Sequence, residues 1–294
     1  MATTPGQVSK RVLVAGCGAL GAKIALGLTG THEVFGLRRT PSRIPAPVIP
    51  IGADLMDKHA LAAAVPDNLN AVVYCLTPDN YSEEGYRKAY VEGLNNLLEA
   101  VAGQPIERII FISSTSVYDQ DDDSWVDETS VTNPAKASGQ QILLGESSLL
   151  DSGFDGTVVR FSGIYGRSRP RFLESISEGE LNPESPGPYS NRIHEEDAVA
   201  VVLHLLERQF AGLSLDDCYV ASDCDPIRLD EAVAWVREQI PCKPPQADAR
   251  TGGRAGSKRC RNDRLLATGF QFRYPDFRSG YREMINDWKQ QGPG

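Results

Sequence analysis

The sequence predicts an α/β protein, a doubly wound parallel sheet with a smaller mixed α/β lobe toward the C-terminus. Two observations predict it. Short apolar runs rich in Val, Ile and Phe alternate with longer segments of helical spacing, and the first run ends in a glycine-rich turn that opens a helix. Strands without polar alternation suit a sheet buried on both faces, and β and α alternating on this scale give parallel crossovers.

In chain order, "RVLVAG" (11–16), "HEVFGL" (32–37), "AVVYCL" (71–76), "RIIFIS" (108–113) and "GTVVRF" (156–161) read as strands. "GADLMD" (52–57) follows a further strand pattern. Between them, "ALGAKIALGLTG", "DKHALAAAV", "EGYRKAYVEGLNNLLEAVAG" and "SGQQILLGESSLLDSG" carry helical spacing. Past about residue 165 the texture changes. A Pro/Gly/Ser-rich loop ("NPESPGPYSN", 182–191) leads to a helix over 195–208, whose first turn holds Glu195, Glu196 and Asp197, where the helix dipole favours carboxylates. A strand at "CYVASD" (218–223), a helix ("LDEAVAWVREQI") stopped by Pro241 and a basic stretch ("RTGGRAGSKRCR", 250–261) follow. The expected organisation is a dinucleotide-binding domain over 1–165 and a substrate lobe over 166–294, interleaved in one compact unit.

Composition narrows the partners. The hydrophobic share, 41%, is enough for a full core, and the net charge of −9 argues against nucleic acid or an anionic membrane. A small-molecule substrate or another protein remains. The cysteines at 17, 75, 218, 224, 242 and 260 contain no CxxC pair, and only four histidines accompany them. That pattern suggests free thiols in a reduced compartment and no metal site. The opening "MATTPGQVSKR" lacks a signal peptide's apolar core, and no run approaches the ~20 apolar residues of a membrane span. A cytoplasmic protein is expected. The acidic "DQDDDSWVDE" (119–128) is no EF-hand, because the sixth and twelfth positions counted from Asp119 are Ser124 and Ser130. It reads as a solvated loop anchored by Trp125.

"AGCGALG" places Gly16, Gly18 and Gly21 as GxGxxG, with Ala19 and Leu20 between the last two. The first glycine permits a tight turn, the second admits a pyrophosphate to the backbone, and the third lets helix and strand approach. The phosphates then meet the helix N-terminus. An NAD site usually shows an acid roughly 20 residues on. Here "FGLRRT" puts Arg38 and Arg39 there, and guanidinium suits a 2′-phosphate, so NADP(H) is expected over NAD(H). The plainer alternative is a pair of solvated loop arginines. Asp54 and Leu55 are placed to flank an adenine, although Asp54 could equally cap a helix. Leu76, Thr77, Ser113, Gly163 and Tyr165 complete the candidate cofactor contacts.

Together "AGCGALG", "GADL", "FISSTSVYD", "VVRFSGIYG" and "NRIHEEDAVAVV" resemble the short-chain dehydrogenase/reductase superfamily. The resemblance is to its extended and atypical branches, the NAD(P)-dependent epimerase/dehydratase-like proteins, and covers nearly the whole chain. The segment "SKRCRNDRLLATGFQFRYPDFRSGYREMI" is similar to the tail of an atypical subgroup. The resemblance implies a Rossmann fold, and a homodimer through the helix carrying Tyr90 and the helix after Ser138. It also implies a catalytic set of Asn, Ser/Thr, Tyr and Lys. Ser114 stands at the Ser/Thr position, with Ser113, Thr115 and Ser116 satisfying the strand's backbone end. Matching Pro134, Gly139 and Glu146 to the family pattern puts Ser138 at the tyrosine and Ile142 at the lysine, and Tyr90 stands before "V-x-G" in "KAYVEGL", where the resemblance implies the asparagine. Isoleucine cannot hold a ribose hydroxyl or tune a phenol.

Replacement proton donors are Tyr118 and Lys136, with Tyr90, Tyr165 and His194 behind them. Each has a structural alternative: packing for the tyrosines, a loop hydrogen bond for His194, solvation for Lys136. Ser116, Arg160, Arg192 and His194 are the substrate-side candidates. Arg250, Arg254, Lys258, Arg259 and Arg261 either hold an anionic substrate or form a flexible charged loop. The expected function is an NADP(H)-dependent oxidoreductase acting on a small carbonyl, imine or hydroxyl compound by a non-standard mechanism. The alternatives are a non-catalytic NADP(H) sensor or scaffold and a sugar-nucleotide epimerase or dehydratase.

Overall fold

The computed structural model describes residues 9–252 and 256–291, so Arg254 and the opening residues 1–8 lie outside the described residues. Seven of the thirteen strands numbered along the described chain form the central sheet. They are β1 (Arg11–Ala15), β2 (Glu33–Arg38), β3 (Ile49–Gly52), β4 (Ala71–Tyr74), β5 (Arg108–Ser114), β7 (Gly156–Phe161) and β11 (Cys218–Ala221). Their order is β11-β7-β5-β4-β1-β2-β3 in a parallel sheet of Rossmann type. β1, β4 and β7 are buried along almost their whole length, as both-face burial requires. The edge strand β3 carries Pro50, which a sheet tolerates at its margin because no inner ladder there needs the missing N–H.

The chain forms two compact units. One comprises the chain up to Val117, Asn133–Arg160 and Val199–Tyr219; the other comprises Tyr118–Thr132, Phe161–Ala198 and Val220 onward. In the first, α1 (Ala19–Leu28), α2 (Lys58–Ala64), α3 (Glu83–Arg87), α4 (Gly93–Ala100) and α5 (Ala137–Leu150) lie between strands. Its core gathers Leu13, Val72, Tyr74, Ile109 and Phe111, with the last two aromatic rings stacked across 5.8 Å. Each such side chain, fully buried, contributes about 1.5–3 kcal/mol.

The periodic segment 84–103 is not one regular helix. A π-helical turn at Lys88–Glu92 joins α3 to α4. The cause comes from β4: the buried Tyr74 hydroxyl donates to the Ala89 carbonyl at 2.7 Å, and a Cβ on Gly93 would come within 2.6 Å of that hydroxyl oxygen. A side chain inserted at the helix ladder widens the turn.

The second unit holds three short strand pairs. β8 (Gly163–Tyr165) runs parallel to β10 (Arg192–His194), β9 (Tyr189–Ser190) antiparallel to β12 (Ile227–Arg228), and β6 (Trp125–Val126) parallel to β13 (Arg259–Cys260). Helices α6 (Arg171–Ser177), α8 (Leu229–Arg237), α9 (Asp263–Ala267) and α10 (Phe277–Gln291) belong to it, and α7 (Glu195–Phe210) leads from it into the first unit. Its core contains Tyr165, Ile176, Val233, Phe277 and Tyr281, with Tyr165 and Tyr281 stacked at 4.4 Å. No helix among the described residues is long and apolar enough to cross a membrane.

Candidate functional site

From β1 the next strands step one way to β2 and β3, and the other way to β4 and β5. At such a switch point the carboxyl ends of the strands open a crevice, the usual ligand position in open α/β sheets. A cleft of about 610 Å³ lies here in the first unit. It is lined by Gly16 and Gly18 after β1, Arg38 and Arg39 at the end of β2, Asp54 and Leu55 after β3, and Leu76 and Thr77 after β4. All eight were candidates from sequence.

The glycines divide the work as their spacing suggests. Gly16 has φ of +89°, and a Cβ on it would fall 2.2 Å from the Cys75 carbonyl oxygen. A Cβ on Gly21 would fall 2.4 Å from the Gly16 carbonyl oxygen, so α1 packs directly on the turn. At Gly18 nothing lies within 4 Å of the Cβ position, so backbone there is open to a ligand. Leu20 turns inward and is buried, while Ala19 is exposed in the first turn of α1. That turn has neither a capping side chain nor an acidic residue. A helix N-terminus free of carboxylates suits a pyrophosphate, so the residues present fit a dinucleotide.

Arg38 donates to the Cys17 carbonyl at 3.2 Å, and Arg39 makes a two-pronged pair with Asp79, 2.7 and 2.5 Å. The guanidinium holds the Asp79 carboxyl below its ordinary pKa. Arg43 and Lys88 also line the cleft. Neither was singled out from sequence, though "RRTPSR" already showed a third arginine one short turn beyond the first two. The capping alternative for Asp54 is corrected: the cap of α2 is Asp57, which accepts the Ala60 N–H at 3.0 Å. Asp54 instead accepts the Met56 N–H at 3.0 Å and stays exposed on the cleft wall.

At the end of β5 the side chains look inward. Ser114 is half-buried, and its Oγ accepts the Ser116 N–H at 3.2 Å. Ser113 serves a side chain rather than the strand's backbone end: its hydroxyl donates to Glu146 at 2.5 Å. Glu146 in turn accepts from Arg160 at 2.6 and 3.0 Å, all three residues being buried. Arg160, a substrate candidate, is thus engaged within the unit. Ile142 is 3% exposed, Ser138 is half-buried and Lys136 sits exposed at the N-cap of α5. Tyr90 stacks on Tyr86 at 5.7 Å, and burial pushes its phenol well above the ordinary range, so it holds its proton.

The remaining candidates belong to the second unit. The Tyr118 hydroxyl donates to the Asp127 carbonyl at 2.7 Å. Across β8 and β10, Gly163 faces Arg192 and Tyr165 faces His194. Arg192 is buried over the Phe172 ring at 4.7 Å. Burial raises the Tyr165 phenol and lowers the His194 imidazole. His194 Nδ1 accepts the Glu196 N–H at 3.3 Å, the loop hydrogen bond of its structural alternative. The acidic loop and the basic stretch hold each other. The Ser257 N–H reaches Asp121 at 2.6 Å, Arg259 and Arg261 cover Trp125 at 4.8 and 5.2 Å, and from β12, outside that stretch, Arg228 reaches Asp123 at 2.7 Å. Arg250 donates to Ser175 at 3.1 Å, and Lys258 is buried. The six cysteines are free, and among the described residues no cluster of three or more His, Cys, Asp or Glu could hold a metal.

Comparison with known proteins agrees with this geometry. The model of the NAD dependent epimerase/dehydratase family matches residues 12–219. A solved structure from Methylobacillus flagellatus, provisionally named an NAD-dependent epimerase/dehydratase, is 34% identical, with 95% of this chain and 99% of that one covered and a TM-score of 0.81. Protein YeeZ of Escherichia coli K12 is 26% identical over 91% of this chain and 97% of its own. A short-chain dehydrogenase/reductase superfamily protein from Agrobacterium tumefaciens, solved with bound NAD, shares the fold at 18% identity, with a TM-score of 0.75 over 96% of this chain and 98% of that one.

Proposed function

The chain belongs to the NAD-dependent epimerase/dehydratase family, which uses a nicotinamide cofactor, and on that premise we propose that it binds NADP(H) in preference to NAD(H) and reduces a small carbonyl or imine compound. The observation that carries the cofactor choice is the trio Arg38, Arg39 and Arg43 on the cleft wall, where an NAD site usually offers a carboxylate. Guanidinium groups take a 2′-phosphate through charge-assisted, often bidentate bonds. Gly18 and the bare N-terminus of α1 would hold the pyrophosphate, with Leu55 and Leu76 beside the adenosine half.

When bound, the nicotinamide ring supplies hydride chemistry; what the chain adds is positioning. Because Ser114 Oγ already accepts the Ser116 N–H, its own proton is the part left to donate to a substrate oxygen. Ser138 and Ile142 cannot deliver a proton as a tyrosine–lysine pair would. Water or an acid outside that pair must therefore do so, which a reductase tolerates better than an epimerase. NADPH oxidation against a panel of carbonyl and imine compounds tests this reading. Ser114→Ala should bind NADPH normally and turn over about 100-fold more slowly, the usual loss for one donor at a developing oxyanion. Unchanged turnover removes Ser114 from the reaction.

The second reading is a non-catalytic NADP(H) sensor, favoured by the apolar, 3%-exposed Ile142 at the position where the family pattern calls for lysine. Tight NADPH binding without turnover across the panel supports it. A sugar-nucleotide epimerase or dehydratase fits the family name but needs the tyrosine acid–base that Ser138 replaces.

A further inference from the structure

One exposed ion pair, Arg39 with Asp79, lines the cleft. Arg39 follows β2 and Asp79 follows β4, the two strands that flank β1. Their two hydrogen bonds, Nη1 to Oδ2 at 2.7 Å and Nη2 to Oδ1 at 2.5 Å, therefore cross the crevice from one wall to the other. The paired N–H groups that grip the carboxylate are the same fork a phosphate would take. Asp79 is not a loose counter-ion. Pro78 precedes it, and the Asn80 carbonyl is packed so closely on Gly85 that a Cβ there would fall 2.3 Å away. The Asn80 side chain also accepts the Ser82 N–H at 3.1 Å. Asp54 also acts on Arg39, but only through its field, since its own carboxylate bonds the Met56 N–H.

We infer that Asp79 is a selectivity-determining residue: it occupies Arg39 in place of a 2′-phosphate, and NADP(H) binds by exchanging its phosphate for that carboxylate. NAD(H), with a hydroxyl at that position, leaves the bridge closed. The inference rests on the NADP(H) reading above. Its consequence is that Asp79 reduces the advantage Arg39 would otherwise give NADP(H). Both side chains are more than half exposed, 60% and 64%, so the competing bond has the modest strength of a surface pair.

The test is equilibrium titration of NADPH and NADH, by nucleotide fluorescence, into the wild type, Asp79→Asn, Arg39→Ala and the double variant, with melting curves to verify folding. Asp79→Asn should tighten NADPH about fivefold and change NADH by less than about twofold. In the Arg39→Ala background the same substitution should do nothing, because no guanidinium is left to release. Unchanged or weaker NADPH binding in Asp79→Asn overturns the inference. So does weaker NADH binding, which would make Asp79 the holder of the ribose hydroxyls. An equal gain in the Arg39→Ala background overturns it too, by showing long-range charge instead of exchange. If Arg39→Ala itself leaves NADPH binding unchanged, the NADP(H) reading falls and takes the inference with it. If Arg39→Ala weakens NADPH while Asp79→Asn is neutral, only the inference falls.

Discussion

The cleft at the ends of β1–β4 and the region around the end of β5 belong to the same unit, yet they treat polar groups in opposite ways. Around the cleft, Gly18 leaves backbone open, α1 begins without a capping side chain, and Arg39 is paired with an exposed carboxylate. Next to Ser114, Ser113, Glu146 and Arg160 satisfy one another in the interior, and Ile142 fills the position expected for a charge. Groups meant for a ligand are kept available at some cost in stability, whereas groups enclosed in mutual bonds serve the fold. By that criterion the proposed nucleotide end has the character of a binding site, and the buried Ile142 that of packing.

The sharpest way to break this contrast is Glu146→Ala. It takes the carboxylate from a buried guanidinium and should cost about 3–5 kcal/mol in urea unfolding, while NADPH affinity measured below the melting temperature stays unchanged. Loss of affinity without loss of stability would place Glu146 in the binding machinery. Gly16→Ala is the converse. Its left-handed backbone alone should cost about 1–3 kcal/mol, and the contact with the Cys75 carbonyl adds to it, so NADPH binding should disappear in direct titration. Retained affinity would show that the turn can shift to accept a Cβ.

His194 extends the comparison to a residue that sequence offered both as a proton donor and as the holder of a loop hydrogen bond. Burial holds its folded-state pKa below the ordinary 6.5, so the unfolded chain binds the extra proton first. Its contribution to stability is present above pH 6.5 and is lost as pH falls from there toward the folded value, with a slope of at most about 1.4 kcal/mol per pH unit. Glu196 and Asp197 oppose that shift by their charge, and Tyr165 and Tyr274 pack on the ring. Urea midpoints from pH 7.5 to 5 should fall less steeply in His194→Gln than in the wild type. Parallel curves would mean that the imidazole titrates as if exposed.

How far the sequence could be read depended on the range of the interactions. The strands and the GxGxxG turn were legible because each signal lies within a few adjacent residues. β3 left a weaker trace, since Pro50 interrupts an already short run, and only its place at the sheet edge explains why it pairs at all. The π-helical turn was hidden because its cause, the Tyr74 hydroxyl on the Ala89 carbonyl, comes from another element. The same holds for Ser113–Glu146–Arg160, assembled from β5, α5 and β7, and for the acidic loop clasped by residues 257–261. In each case a side chain's composition suggested reactivity or solvation, and a distant partner decided otherwise. Arg43 was visible in the sequence, but nothing local said that the turn at Pro41 would bring it to the cleft.

On the reading proposed above, the open end of this unit takes a dinucleotide carrying a 2′-phosphate. Parallel titrations of the wild-type chain with NADPH and NADH at low ionic strength test it most directly. NADPH should bind about tenfold tighter or more, as one or two charge-assisted bonds would give, with the margin shrinking as salt is added. Equal or tighter binding of NADH, or a preference for NADPH that salt does not alter, would contradict it.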